Sequence, residues 1–228
     1  MKIAILGAGS WGATLGQVLS ENGSDVCLWH YGIDFVNAIN QTHEHPFLPG
    51  FNLDSKMQFT SSLDEIFQYG DMLISALPSQ VVRKVLNKCN MPFEKPVVSV
   101  SKGIENQTGK RMSEIISETL HLSNDEIMVL SGPSHAEEVI KKLPTTIVIA
   151  STDENNARFI QKIFSNDYFR VYTSHDVIGV EFGGAAKNII ALAAGICHGA
   201  GYGDNTMAAL MTRGLEEIVR LGTKLGAQ

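Results

Sequence analysis

The feature that most constrains this chain is its N-terminus. A short apolar run, Ile3-Ala4-Ile5-Leu6, leads directly into Gly7-Ala8-Gly9-Ser10-Trp11-Gly12, and a helical pattern follows at once. This is a buried strand entering G-x-G-x-x-G and opening a helix. Each glycine has its own task. Gly7 permits the tight turn off the strand, Gly9 lets the backbone approach a pyrophosphate, and Gly12 lets the new helix pack close to the strand. The free N–H groups and positive end of that helix suit a phosphate. The arrangement predicts a dinucleotide site; the bland alternative is a glycine-rich turn with no ligand.

Strand and helix signals then alternate. Strands are expected at 3–6, 25–29, 72–77, 97–101, 127–131, 144–150 and 170–173. Helices are expected at 10–21, 64–69, 80–88, 109–120 and 135–140, and in a segment capped by Asp153 that runs to Phe164. Residues 43–52, with Pro46, Pro49 and Gly50, read as a loop. Buried strands alternating with helices imply an α/β fold, a Rossmann-type doubly wound, mostly parallel sheet covered on both faces. Ligands of such sheets sit beyond the carboxyl ends of the strands. After Ser174 no further strand is legible. Two helices are expected, from Phe182 to about Cys197 and, with Asp204 as its N-cap, from Asn205 to about Leu225. They read as the first helices of an all-α substrate domain. The expected division is a dinucleotide-binding domain at 1–178 and part of a helical domain at 179–228.

Composition narrows the function. The chain has 228 residues and 44% hydrophobic content, enough for a large core. A net charge of −6 disfavours a nucleic-acid or anionic-membrane surface. Cys27, Cys89 and Cys197 are odd in number, widely spaced and without zinc or redox spacing, as free thiols in a reducing cytoplasm are. Met1-Lys2 precedes only a short apolar run, a strand rather than a signal peptide. No run reaches the roughly 18 apolar residues of a spanning helix, so no membrane insertion is expected.

Several residues are candidates for chemistry. Lys187 lies in Gly183-Gly184-Ala185-Ala186-Lys187-Asn188-Ile189-Ile190-Ala191, apolar nearly all round, so the helix is expected to be largely buried. Desolvation there lowers a lysine's pKa and suits it to proton transfer; the alternative is a lysine snorkelling to water. Asn188 is placed to orient a substrate oxygen or to bond locally to backbone. Lys102 follows a strand end, where it can bind a phosphate, depress a second lysine, or lie in a surface loop. Gly132 and Ser134 follow another strand end; Ser134 suits an anion or hydroxyl site, or serves as an N-cap. At the end of the second strand, where NAD and FAD sites often carry an acid for the ribose, the chain has Trp29-His30-Tyr31-Gly32. That weakens a strict NAD reading and argues against FAD. His30 and Tyr31 suit stacking on adenine or tolerance of a 2′-phosphate; otherwise they are ordinary loop residues. His43-x-His45 lies in a loop with no further ligand pair, so no metal site is expected.

Taken together, the segments Gly-Ala-Gly-Ser-Trp-Gly at 7–12, Ser-Lys-Gly-Ile-Glu at 101–105, Ser-Gly-Pro-Ser at 131–134 and Gly-Gly-Ala-Ala-Lys-Asn-Ile-Ile-Ala at 183–191 resemble prokaryotic-type NAD(P)-dependent glycerol-3-phosphate dehydrogenase. Thr212-Arg213-Gly214-Leu215 and Leu221-Gly222 also fit. By that resemblance Ser10 and Trp11 contact the cofactor, NAD or NADP. Tyr31 contacts its adenosine end with His30 adjacent, Lys102 contacts both cofactor and substrate, Gly132 and Ser134 line the substrate site, and Ala136 meets the cofactor. Lys187 becomes the proton acceptor when glycerol 3-phosphate is oxidised to dihydroxyacetone phosphate. The resemblance further implies a cytoplasmic homodimer that supplies glycerol phosphate for phospholipid synthesis. Family members run for about another hundred residues, in keeping with a full helical domain. That part carries an aspartate near the catalytic lysine and a Ser-Arg-Asn segment that grips phosphate and cofactor. A fragment with cofactor affinity and little turnover is therefore expected. Two other readings stay open at this point: a Rossmann dehydrogenase of a hydroxy acid or sugar acid, and a dinucleotide-sensing module without catalysis.

Overall fold

The computed structural model describes residues 1–228. Eight strands form one sheet: β1 (Lys2–Leu6), β2 (Asp25–Trp29), β3 (Gln58–Thr60), β4 (Met72–Ser75), β5 (Val97–Ser99), β6 (Ile127–Ser131), β7 (Thr145–Ala150) and β8 (Phe169–Ser174). Their order is β3-β2-β1-β4-β5-β6-β7-β8. From β3 to β6 all neighbours are parallel. β7 runs antiparallel to β6, and β8 is parallel to β7, so the sheet is mostly parallel as expected. The order reverses between β1 and β4, and the glycine-rich turn leaves β1 at that switch point, where open α/β sheets bind ligands.

Burial on both faces explains the near-continuous apolar strands. On one face Ile3 and Ile5 meet Leu15, Val18 and Leu19 of α1 (Ser10–Glu21), Val36 and Ile39 of α2 (Ile33–Thr42), and Ile160 and Phe164 of a later helix. On the other, Ala4 and Leu6 share a core with three helices: α3 (Leu63–Tyr69), α4 (Val82–Leu86) and α5 (Met112–Leu120). The short α6 (Ala136–Val139) lies between β6 and β7. The later helix of the first face is α7 (Glu154–Phe164), which starts where expected because Asp153 accepts from Asn155 N at 2.7 Å. α2 and β3 were not legible in sequence. α2 has Gly32, with no side-chain cap, before it, and β3 is only three residues long.

The last two helices are α8 (Val177–Gly199) and α9 (Asp204–Lys224). α8 begins ahead of the expected Phe182 because Asp176 caps it, accepting from Gly179 N at 2.8 Å. The expected division at residue 178 falls within its first turn. Asp204 is the first residue of α9 rather than its cap, which is Gly203. The two helices pack together, with Gly214 seated against Ile190. Along α8 only Glu181 and Gly184 are buried, which corrects the expectation of a largely buried helix. Both buried residues lie in its N-terminal half, and Ile189, Leu192 and Ile196 stay exposed. α8 is also, by length and a mean hydropathy of 1.4, apolar enough to cross a membrane, against the expectation that no stretch is. Its high hydropathy comes largely from dispersed alanines and isoleucines rather than one unbroken run.

Candidate active site

The turn after β1 is held by Trp29, whose carbonyl oxygen accepts from Gly7 N at 3.1 Å and Ala8 N at 3.0 Å. Gly7 adopts φ +112°, and a Cβ there would lie 2.6 Å from the Ala76 carbonyl oxygen. A Cβ on Gly12 would lie 1.9 Å from the Gly7 carbonyl oxygen, so helix and turn are in direct backbone contact. Gly9 differs: nothing stands within 4 Å of its would-be Cβ. Two glycines are therefore consumed by packing, and the third leaves a clear approach to the N-terminus of α1. That geometry fits a dinucleotide pyrophosphate.

The turn opens into a cavity of about 880 Å³. Gly7, Gly9, Ser10, Trp11 and Gly12 form its floor. His30 and Tyr31, following β2, line one end, and Leu77, Pro78, Val81 and Val85 line it beyond β4. Tyr31 is 80% exposed and stacks on His30 at 4.5 Å, and His30 packs against Phe35 at 4.1 Å. Glu137 is the one acid lining the cavity, at the far end from Tyr31, whereas Lys84, Lys88 and Lys102 all line it.

Lys102, Ser134 and Ala136 line the opposite end. Ser101 donates to the carbonyl oxygens of Leu77 at 2.6 Å and Ser75 at 3.2 Å, pinning the end of β5 to β4. Lys102 then reaches to the end of β6, its Nζ donating to the Gly132 carbonyl oxygen at 3.2 Å. Burial, and after it the charge of Lys187, push the Lys102 ammonium down to about 8. Lys187 is half-buried on α8, where Gly184 lies against Ser131: a Cβ on Gly184 would meet the Ser131 hydroxyl at 2.5 Å. Ser134 donates to the Gly132 carbonyl oxygen at 3.3 Å and does not cap α6, whose N-cap is His135.

The sequence-derived residues thus divide. Gly7, Gly9, Ser10, Trp11, Gly12, Tyr31, Lys102, Ser134 and Ala136 line one cavity. Gly132 joins through its bond to Lys102, and Lys187 joins from α8 through its charge. Asn188 is exposed and outside the cavity lining. His45 is buried and bonds Ala8, while His43 ends α2 in the left-handed conformation. Sequence reasoning missed the frame around Lys102. Gln80 donates to the Ile104 carbonyl oxygen at 2.7 Å, and Arg83 clasps Glu105 through two nitrogens at 2.9 Å. It also missed Glu181, which is 3% exposed and bonded to Arg111 and Ser113. An acid embedded in the apolar run from Val177 was the available signal, since a buried carboxylate needs partners.

A doubly wound sheet, a glycine turn open at its switch point and cationic strand ends beside it define a Rossmann-type, dinucleotide-dependent oxidoreductase. Comparison with known proteins narrows the class. Residues 2–157 match the model of the NAD-dependent glycerol-3-phosphate dehydrogenase N-terminus, and residues 176–228 match that of its C-terminus. The chain belongs to this family. It is 50% identical, over its full length, to a glycerol-3-phosphate dehydrogenase [NAD(P)+] of Latilactobacillus sakei, and covers 69% of that protein. It is 48% identical to one from Staphylococcus epidermidis over 99% of its length, again covering 69%. The crystal structure of glycerol-3-phosphate dehydrogenase from Coxiella burnetii superposes with a TM-score of 0.92 at 32% identity, over all of this chain and 70% of that one.

Proposed function

We propose that this chain interconverts sn-glycerol 3-phosphate and dihydroxyacetone phosphate. The observation that carries the reading is the position of Lys102. It lines the dinucleotide cavity, bonds Gly132 at the neighbouring strand end, and feels the charge of Lys187. Two neighbouring ammonium groups suit a phosphate-bearing substrate better than a neutral one, because an anion relieves their repulsion. As the neutral amine Lys187 takes the proton from the secondary hydroxyl in oxidation, and as the ammonium it gives one to the carbonyl oxygen in reduction. Lys102, Gly132 and Ser134 hold the substrate. Ser10, Trp11, Tyr31 and Ala136, with Lys102, hold NAD or NADP, which supplies the hydride acceptor or donor when bound. The N-terminal 178 residues form the dinucleotide-binding part, and 179–228 belong to the substrate domain. The protein works in the cytoplasm as a homodimer, without membrane insertion or nucleic acid, and its product feeds phospholipid synthesis. Free Cys27, Cys89 and Cys197 support the reducing location.

The test is oxidation of NADH and NADPH dependent on dihydroxyacetone phosphate by a full-length version of the enzyme. Replacing Lys187 by Ala should lower turnover by about 10²- to 10⁴-fold with cofactor binding retained. Undiminished turnover in Lys187→Ala, or preference for a hydroxy acid over dihydroxyacetone phosphate, overturns the reading.

A further inference from the structure

Glu181 is the most deeply buried charged residue of the chain, at 3% exposure, and none of the proposed chemistry uses it. Its carboxylate accepts from Ser113 N at 2.8 Å, from the Ser113 hydroxyl at 2.6 Å and from Arg111 Nη1 at 2.9 Å. Burial pushes the carboxyl above the usual carboxylate range, against the pull of those bonds and the guanidinium. A buried carboxylate held by so many donors is costly to disturb, because breaking one partner leaves the charge unpaired.

What the cluster joins is more telling than its depth. Glu181 is in the N-terminal half of α8, the helix that carries Lys187. Arg111 and Ser113 are at the N-terminus of α5, where the segment that starts with Lys102 ends. That segment is closed on itself: Ile104 and Arg111 form an isolated bridge, and Glu105 N donates to the Lys110 carbonyl oxygen at 2.9 Å. Arg111 is further fixed by Glu114, which accepts from its backbone N at 2.9 Å. Next along α8, Gly184 rests on Ser131, and a Cβ built on it would lie 4.0 Å from Lys102 Cγ. Beyond Gly184 the side chains of α8 are half-buried or exposed. The seat of Lys187 therefore rests on few fixed points, Glu181 and Gly184 among them.

We propose that Glu181 is a positioning residue that, through Arg111 and Ser113, sets the separation of Lys187 from Lys102. This rests on the proton-transfer reading of Lys187. A surface ion pair could not do this, since such pairs contribute little and shift easily; a buried, multiply bonded one with both ends anchored in backbone can.

The test uses the cofactor-free chain and reads the ionisation of Lys102 directly, by ¹³C NMR of reductively methylated lysines. The wild-type midpoint expected is about 8. Removing the Lys187 charge by Lys187→Met should raise it. Glu181→Gln should raise it too, because α8 loosens and both burial and the neighbouring charge weaken. The Glu181→Gln, Lys187→Met pair should show less than the sum of the two rises. Ser113→Ala removes one donor only, and is the milder variant if Glu181→Gln fails to fold; it should shift the midpoint in the same direction, by less. A lowered Tm with the Lys102 midpoint unmoved, in either folded variant, overturns the positioning role and leaves Glu181 a purely structural residue. Failure of the proton-transfer reading shows separately, as undiminished turnover in Lys187→Ala.

Discussion

Burial, and then the charge of Lys187 on the adjoining helix, hold the Lys102 ammonium at about 8, while its Nζ stays bonded to the Gly132 carbonyl oxygen at 3.2 Å. The folded state thus carries an unfavourable charge at a strand end. The cost is full at pH below about 8, where folded and unfolded chains are both protonated. It fades as pH rises from about 8 toward the ordinary lysine value of 10.5, where the unfolded chain binds the extra proton. Lys102→Met should therefore raise Tm at pH 7, and the gain over wild type should shrink across that interval. The same variant should weaken binding of dihydroxyacetone phosphate. Thermal melts of both proteins from pH 7 to 10 check the first part; a gain independent of pH counts against it.

The glycines of the turn should separate stability from binding. Gly12→Ala forces a Cβ into the Gly7 carbonyl and should cost about 3 kcal/mol. Gly9→Ala meets open space and should leave Tm almost unchanged. It puts a methyl group where the pyrophosphate approaches, so the Kd for NADH should rise by about 10-fold or more. Melting curves and fluorescence titration of NADH distinguish the two.

His45 ties the 43–52 loop to the turn. Its Nε2 meets the Ala8 carbonyl oxygen at 3.0 Å, and Nδ1 accepts from Phe47 N at 3.2 Å. The carbonyl can only accept, so Nε2 carries the proton and the ring is neutral. Burial holds its pKa below the ordinary 6.5. The unfolded chain then takes up the proton first, and stability falls as pH drops below about 6.5. His45→Ala should lower Tm by roughly 4–8 °C at pH 7.5, for a loss of about 2 kcal/mol. It should also flatten the decline between pH 6.5 and 5. A decline of unchanged steepness would assign it to other groups.

At the end of β2 stand His30 and Tyr31, and no acid lines that end of the cavity. Nothing there repels a 2′-phosphate, so NADH and NADPH should bind within about tenfold of each other, or 1.4 kcal/mol. His30→Asp should preserve NADH binding and weaken NADPH by at least that factor. Titration of both nucleotides against both proteins is the check.

The sequence by itself determined the local devices. A strand entering Gly7 to Gly12, caps such as Asp153, and apolar runs bounded by turns are written in neighbouring residues, so the doubly wound sheet and its switch-point turn were legible. So were Lys102 and the serines at strand ends, because each follows a recognisable strand. The tertiary structure decided what depends on distant partners. Lys187 reads as a buried lysine from the periodicity of its own helix, yet burial is set by what covers a helix, and on α8 only Glu181 and Gly184 are buried. Lys102, beyond the end of β5, is the lysine whose ammonium burial and the charge of Lys187 push down to about 8. For Glu181 only the acid in an apolar run was in the sequence: its partners Arg111 and Ser113 lie on another helix, and only folding brings a carboxylate and a guanidinium so far apart in the chain to 2.9 Å.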